Sequence, residues 1–186
     1  TIMKAEVNME KLEIGCYAPD GEIETSEGKT VRLKNLMRKK TVLFSLRDAS
    51  CVLTQDYLDR LKTQAKVFED HGLTFLVVVN SSKESAETIL ELQSYPFIVL
   101  CDEKGRVYER YGVGCAKDKE QLGNAQTMKR IAVAYAAGYK HGKDTGNPLR
   151  LPAVFVAEAN GTLSFVRYGI YGDDLPDPVE LSTIVT

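Results

Sequence analysis

Short apolar runs and amphipathic stretches alternate along the first hundred residues of the chain. Thr41 to Leu46 (TVLFSL) is β-branched and apolar almost throughout, which predicts a strand covered on both faces. A break follows at Arg47-Asp48-Ala49-Ser50. Leu58, Leu61, Ala65 and Phe68 then recur at spacings of three and four, the period of an amphipathic helix. Gly72 supplies the helix stop, and Leu73 to Val79 (LTFLVVV) predicts a second buried strand. Ser81, with Glu84 three residues on, reads as a capping box that opens another helix through Ala86, Ile89 and Leu90. Phe97 to Cys101 predicts a third strand, closed by a turn at Asp102-Glu103-Lys104-Gly105.

Three strands separated by helices imply parallel pairing through right-handed crossovers. The last third of the chain differs. Ala153 to Glu158 and Thr162 to Tyr168 are largely apolar runs on either side of Asn160-Gly161, a strong short hairpin signal. A parallel half followed by an antiparallel hairpin predicts a mixed central sheet with helices on both faces, a three-layer α/β/α fold. Between the two halves, Met128, Ile131, Ala132, Tyr135, Ala136 and Tyr139 share one helical face. Tyr135 and Tyr139 are expected to pack in the core. Gly138, Gly142 and Gly146 are expected to loosen the chain after that helix, before Pro148 and Pro152 return it to the sheet. No internal repeat or second domain is visible, so residues 1–186 are read as a single domain.

Composition narrows the class without naming a reaction. A hydrophobic fraction of 44% and a charged fraction of 27% are ordinary for a chain with a full core. A net charge of -2 gives no electrostatic footprint for nucleic acid or an anionic membrane surface. The apolar runs are a strand's length, too short to span a bilayer. The opening TIMKAEVN lacks the apolar segment of a secretory leader, which points to the cytoplasm. Cys16, Cys51, Cys101 and Cys115 form no Cys-x-x-Cys pair, and His71 and His141 sit in helix-end contexts expected at the surface. No metal site and no cofactor are therefore expected.

Of the four cysteines, Cys51 stands where chemistry is easiest. It follows the strand-to-helix break, at or near the first turn of a helix, where unpaired backbone N–H groups and the helix dipole favour an anionic sulfur. Arg47, four residues back, can add positive charge if the turn folds over. A thiolate is the nucleophilic form of cysteine. The bland alternative is a small apolar residue packed beneath the helix. Thr54, one turn on, either donates its hydroxyl toward the sulfur or a bound peroxide, or bonds its own backbone. Pro152 precedes a buried strand, and a cis Leu151–Pro152 bond would bring its backbone beside Cys51. Arg150 and Arg130 are candidates to polarise a peroxide or hold an anionic substrate, although most arginines are simply solvated.

These residues together resemble the AhpC/TSA and redoxin superfamily, the peroxiredoxins and their relatives. Ala18-Pro19-Asp20, followed by Glu27-Gly28-Lys29 and Val31-Arg32-Leu33, looks like the family's opening. Ser45 to Cys51 (SLRDASC) is similar to the F-x-R-G-x-W-C segment of the peroxiredoxin-like branch, with Arg47 and Cys51 on its arginine and first cysteine. Leu151-Pro152-Ala153-Val154-Phe155-Val156 with Asn160-Gly161, and Asp174-Leu175-Pro176 after Tyr168-Gly169, resemble its later segments. The resemblance implies a thioredoxin-like fold, a cis proline at Pro152 and a redox-active Cys51. The match is incomplete. Where true peroxiredoxins carry Pro-x-x-x-Thr/Ser-x-x-Cys, this chain has Phe44 and Asp48, and Pro152 stands at a family arginine. Thr54 replaces the second cysteine of the Cys-x-x-Cys relatives, which removes dithiol chemistry by that route.

The implied activity is reduction of hydrogen peroxide or organic hydroperoxides by Cys51, passing through a sulfenic acid. A resolving thiol must follow. Cys115, after Gly112-Val113-Gly114, is the first internal candidate and Cys16 the second, and an external thiol or thioredoxin-like reductant would serve equally. The expected partners are thus a small peroxide and a thiol reductant, with no nucleic acid or membrane and room for a homodimer. The competing reading is a thioredoxin-fold protein that is redox-inactive, a binding module, or a one-cysteine thioltransferase.

Overall fold

In the computed structural model, which describes residues 9–25 and 27–186, seven strands form one mixed sheet in the order β2-β1-β5-β4-β3-β6-β7. The opening octet, read above as lacking a leader, lies outside the described residues. The sheet begins with a hairpin, β1 (Glu22–Thr25) and β2 (Thr30–Arg32), which no apolar pattern announces because Ile23 is its one buried side chain. After the short α1 (Leu33–Leu36) comes the central strand β3 (Thr41–Ser45). Helix α2 (Val52–Asp70) crosses to β4 (Thr74–Val79), and α3 (Lys83–Ile89) crosses to β5 (Ile98–Cys101). Strands β3, β4 and β5 are parallel, as the alternation of runs predicts.

Beyond β5 lie α4 (Arg106–Arg110), α5 (Ala125–Ala136), the hairpin of β6 (Ala153–Ala157) and β7 (Leu163–Tyr168), and α6 (Pro178–Val185). Strand β6 runs antiparallel against β3, with Ser45 opposite Ala153 and Thr41 opposite Ala157. The hairpin turns at Asn160-Gly161, where Gly161 takes φ +88°.

Side chains alternate across the sheet with the period of two that strands impose. Val42, Phe44, Val77, Val154 and Val156 face α2 and α6, meeting Leu58, Leu61, Phe68 and Leu181. Leu43, Leu76, Val78, Leu100 and Phe155 face the opposite layer, meeting Leu33, Val107, Tyr108 and Tyr111. Strands β3 and β6 are buried on both faces.

Four expectations need correction. Among the described residues every peptide bond is trans, Leu151–Pro152 included. The run leading into β6 is held extended by Leu151 N–H donating to Gly114 and Gly169 N–H donating to the Pro152 carbonyl. The cap of α3 is Ser82, whose hydroxyl accepts from Ser85 N–H, while Ser81 is drawn inward by Asp48. Helix α5 is rotated by one residue from the expected face: Thr127 and Ala134 are buried, while Met128 and Tyr135 are exposed. Tyr139 is half-buried, its hydroxyl donating to Asp59 rather than packing in the core. The Asn124–Thr127 capping box and an Arg130–Asp173 ion pair set that rotation. Lastly, Gly146 does not loosen the chain after α5. A Cβ on Gly146 would lie 1.8 Å from the Asn80 carbonyl oxygen, so only glycine lets this backbone close on its neighbour.

Candidate active site

Cys51 is the N-cap residue of α2. Its side chain makes no capping hydrogen bond, so no side chain occupies the first-turn amides of the helix. The turn before it is tight, with Cys51 N–H donating to the Asp48 carbonyl at 3.1 Å. Only 7% of Cys51 is exposed, so the sulfur is mostly shielded from water.

Arg47 approaches that sulfur from the end of β3. Its Nη1 donates to Cys51 Sγ at 3.2 Å. Its Nε donates to the Arg150 carbonyl and its Nη2 to the Pro148 carbonyl, each at 2.9 Å. All three guanidinium nitrogens are engaged, so the cation is fixed in place. A fixed cation donating to the sulfur at a helix N-terminus makes an electropositive surrounding for this cysteine.

Thr54 lies one turn along α2, buried, and its hydroxyl makes no hydrogen bond to another described residue. With Arg47, Pro152 and Arg130 it lines a small cavity of about 20 Å³ beside the turn, closed by Gly172 and Asp173. Of the residues singled out from sequence, Arg47, Thr54, Pro152 and Arg130 therefore meet at one place, with Cys51 joined through Arg47.

Arg150 is arranged otherwise than expected. Its Nε donates to Asn80 Oδ1 at 3.1 Å, its Nη1 donates to the Val113 carbonyl at 2.9 Å, and the guanidinium lies over the Tyr108 ring. The buried side chain thus braces the far side of the loop, and only its carbonyl reaches Arg47. Arg130 Nη1 donates to Asp173 Oδ2 at 2.9 Å.

The other cysteines separate by position. Cys115 is exposed and pairs across a β-bridge with Arg150, close to the site. Pro152 divides the Cys115 groove from the Arg47 cavity and lines both. Cys16 is exposed, but its carbonyl accepts from Leu163 N–H. Leu163 pairs with Ala157 and Ala157 with Thr41, which is the opposite end of β3 from Cys51. Cys101 is at the right end of the sheet, yet burial and the nearby Glu24, Glu87 and Glu84 push its thiol up to about 12. His71 and His141 are exposed, as expected.

Asp48 is the participant that sequence reasoning passed over. One oxygen accepts from Ser50 N–H and the Ser81 hydroxyl, both at 2.9 Å. The other accepts from Thr145 N–H at 2.9 Å and Gly146 N–H at 2.8 Å. The carboxylate ties the turn, the start of the α3 loop and the 140–147 segment into one unit. The signal was an Asp in the strand-to-helix break, followed two residues on by Ser, the pattern of an Asx turn.

Residues 14–166 match the model of the AhpC/TSA family. The chain belongs to the AhpC/TSA family. It is 32% identical over 121 residues to a Helicobacter pylori protein named peroxiredoxin bcp, covering 62% of this chain and 78% of that one. The bcp protein of a second strain is 31% identical over the same span. Among solved structures, this AhpC/TSA chain superposes on peroxidoxin BcpB from Mycobacterium tuberculosis with a TM-score of 0.64 at 16% identity, covering 94% of this chain and 96% of that one. Peroxiredoxin 6 of Arenicola marina gives a TM-score of 0.69 at 16% identity over 94% of this chain and 72% of the other. At such identities these two establish the thioredoxin fold, and the family match carries the rest.

Proposed function

We propose that this AhpC/TSA chain is a thiol-dependent peroxidase whose reacting atom is the sulfur of Cys51. The observation that carries this reading is the 3.2 Å contact from the pinned Arg47 guanidinium to that sulfur at the start of α2. The sulfur as thiolate attacks the terminal oxygen of the hydroperoxide. The O–O bond breaks, Cys51 becomes a sulfenic acid, and the remaining oxygen leaves as water or an alcohol after taking up a proton. In this reading Arg47 Nη1, which donates to the sulfur, orients the peroxide and stabilises the charge on its departing oxygen, with the Thr54 hydroxyl, beside Arg47, as a second donor. Asp48 acts through the loops it ties rather than on the substrate.

A second thiol then displaces the hydroxyl of the sulfenic acid as water and leaves a disulfide. Of the two internal thiols this reading favours Cys115, which is bridged to Arg150, over Cys16 at the opposite end of the sheet. An external thiol or thioredoxin-like reductant completes the cycle. Among the described residues no helix is long and apolar enough to cross a membrane. The free cysteines fit a reducing compartment such as the cytoplasm.

A brief exposure to one equivalent of hydrogen peroxide, followed by dimedone and peptide mass mapping, tests the assignment. The adduct is expected on Cys51, and Cys51→Ser is expected to abolish peroxide consumption. Absence of peroxide consumption by the parent protein would return the chain to the redox-inactive reading, and unchanged consumption by the variant would move the chemistry away from Cys51. Turnover of glutathionylated substrates without peroxide turnover would make it a thioltransferase.

A further inference from the structure

We propose that Asn80, directly after β4, is a positioning residue that fixes the Arg47 guanidinium against Cys51 and so sets how fast that sulfur reacts. This rests on the peroxidase reading of Cys51 and adds a residue, from another strand end, on which that chemistry depends. Arg47 is held by the carbonyls of Pro148 and Arg150, each at 2.9 Å. Both carbonyls belong to a stretch outside every helix and strand described above. Ala116 N–H holds the Leu149 carbonyl between them, and Asn80 brackets the whole stretch. Its Oδ1 accepts from Asn147 N–H at 3.0 Å, just before Pro148, and from Arg150 Nε at 3.1 Å.

The same residue also reaches Arg47 directly, since Asn80 N–H donates to the Arg47 carbonyl at 3.4 Å. The backbone of the arginine and the carbonyls that grip its side chain are thus referred to one point. That point has no slack. Asn80 is wholly buried, and its Nδ2 donates to the Asp102 carbonyl at 2.8 Å and the Glu103 carbonyl at 3.1 Å. Both N–H groups of the amide and its oxygen are therefore spent. The partners fix its orientation, because carbonyls must face the NH2 group and N–H donors the oxygen. The two halves do different work: the NH2 group anchors to the turn after β5, and the oxygen holds the stretch that grips Arg47. A reacting group displaced by about 1 Å loses on the order of 10²-fold in rate, so this anchor bears on the chemistry without touching it.

The test is a double-mutant cycle on Asn80 and Arg47, read in two ways. One is the stopped-flow rate constant with hydrogen peroxide. The other is alkylation of Cys51 by iodoacetamide in the native protein, followed by peptide mass mapping, which needs no peroxidase activity. Asn80→Ala is expected to slow both by roughly 10–10²-fold. In an Arg47→Ala background it is expected to add nothing, because Asn80 acts through that arginine. Asn80→Asp keeps the oxygen but has no donor for the turn carbonyls, so it is expected to melt lower yet keep most of the parent rate. Arg150→Met cuts the same contact from its other end while retaining the carbonyl that Arg47 uses, and it gives the same reading if Asn80→Ala does not fold. Parent rates in either variant, or losses that multiply with that of Arg47→Ala, would overturn the proposal. A parent protein whose Cys51 is alkylated but which consumes no peroxide would overturn the peroxidase reading instead, and the alkylation cycle would still decide the role of Asn80.

Discussion

Arg47 Nη1 donates to Cys51 Sγ at 3.2 Å, and the arginine is the more firmly held of the two. Its remaining nitrogens are bonded to the carbonyls of Arg150 and Pro148, in the segment that leads into β6. The cation's position is thereby set by chain a hundred residues away, and the sulfur is presented to it by the α2 turn. Arg47→Ala removes the donor and both tethers. The rate constant for Cys51 with hydrogen peroxide is expected to fall roughly 10²–10³-fold, the usual cost of deleting one preorganised donor. Arg47→Lys should recover part of the loss, because a point charge remains while the three-way fork does not. Stopped-flow mixing checks this, and an unchanged rate in Arg47→Ala would remove Arg47 from the chemistry.

Asp48 accepts four hydrogen bonds from three separate segments, and it is buried. Deleting it leaves the amides of Thr145 and Gly146 without their acceptor, beneath a loop that covers the turn. Asp48→Ala is expected to lower unfolding free energy in urea by roughly 2–4 kcal/mol. Trypsin should then cut faster at Lys140 and Lys143 as the 140–147 segment comes away. Asp48→Asn should rescue little, since its NH2 group must face donors on one side.

The parts of this fold that were legible in the sequence are those where burial repeats with a period. Strands β3, β4, β5 and β6 read directly as apolar runs, and Asn160-Gly161 marked the hairpin. The β1–β2 hairpin was not legible, because one buried side chain, Ile23, carries no period. The phase of α5 was misread by one residue. Its apolar side chains suggested one face, while the buried Thr127 and the Arg130–Asp173 pair turned the helix to another. For the site, Cys51 and Arg47 are four residues apart on one turn, so local reasoning found both. Arg150 could not be placed, because its partners Asn80 and Val113 are brought to it by the fold alone. Asp48 looked like a mismatch to a family motif, although its bonding to Thr145 and Gly146 is what closes the loop over the turn.

Glycines 142 and 146 offer a contrast that separates backbone from side-chain crowding. A Cβ at Gly146 would stand 1.8 Å from the Asn80 carbonyl oxygen and 2.6 Å from its Cγ. Neither the strand-end backbone nor the Asn80 side chain, which donates to the Asp102 carbonyl, can yield. Gly146→Ala is expected to cost roughly 2 kcal/mol or more. At Gly142 the nearest atom is Ile89 Cδ1 at 2.7 Å, the tip of a flexible side chain that can rotate aside. Gly142→Ala should therefore cost well under half as much. Thermal melts of the two variants check the order, and equal costs would mean that the loop moves as a body.

Cys101 supplies the pH dependence. Burial, with Glu24, Glu87 and Glu84 nearby, pushes its thiol up to about 12 from an ordinary value of 9.0. Between those values the unfolded chain has lost this proton while the folded chain keeps it. The folded state therefore binds more protons, and stability falls as pH rises through that window. The buried tyrosines Tyr57 and Tyr111 are raised by burial in the same sense, so the measurement must be a difference. Cys101→Ala is expected to flatten the alkaline limb of the stability curve relative to the parent, with no change below pH 8. The same burial makes a labelling prediction. N-ethylmaleimide at pH 8 should modify the exposed Cys115 and Cys16 in the native protein and reach Cys101 only after unfolding. Rapid labelling of Cys101 under native conditions would show that β5 opens locally, and the alkaline slope would then have to be assigned to the tyrosines.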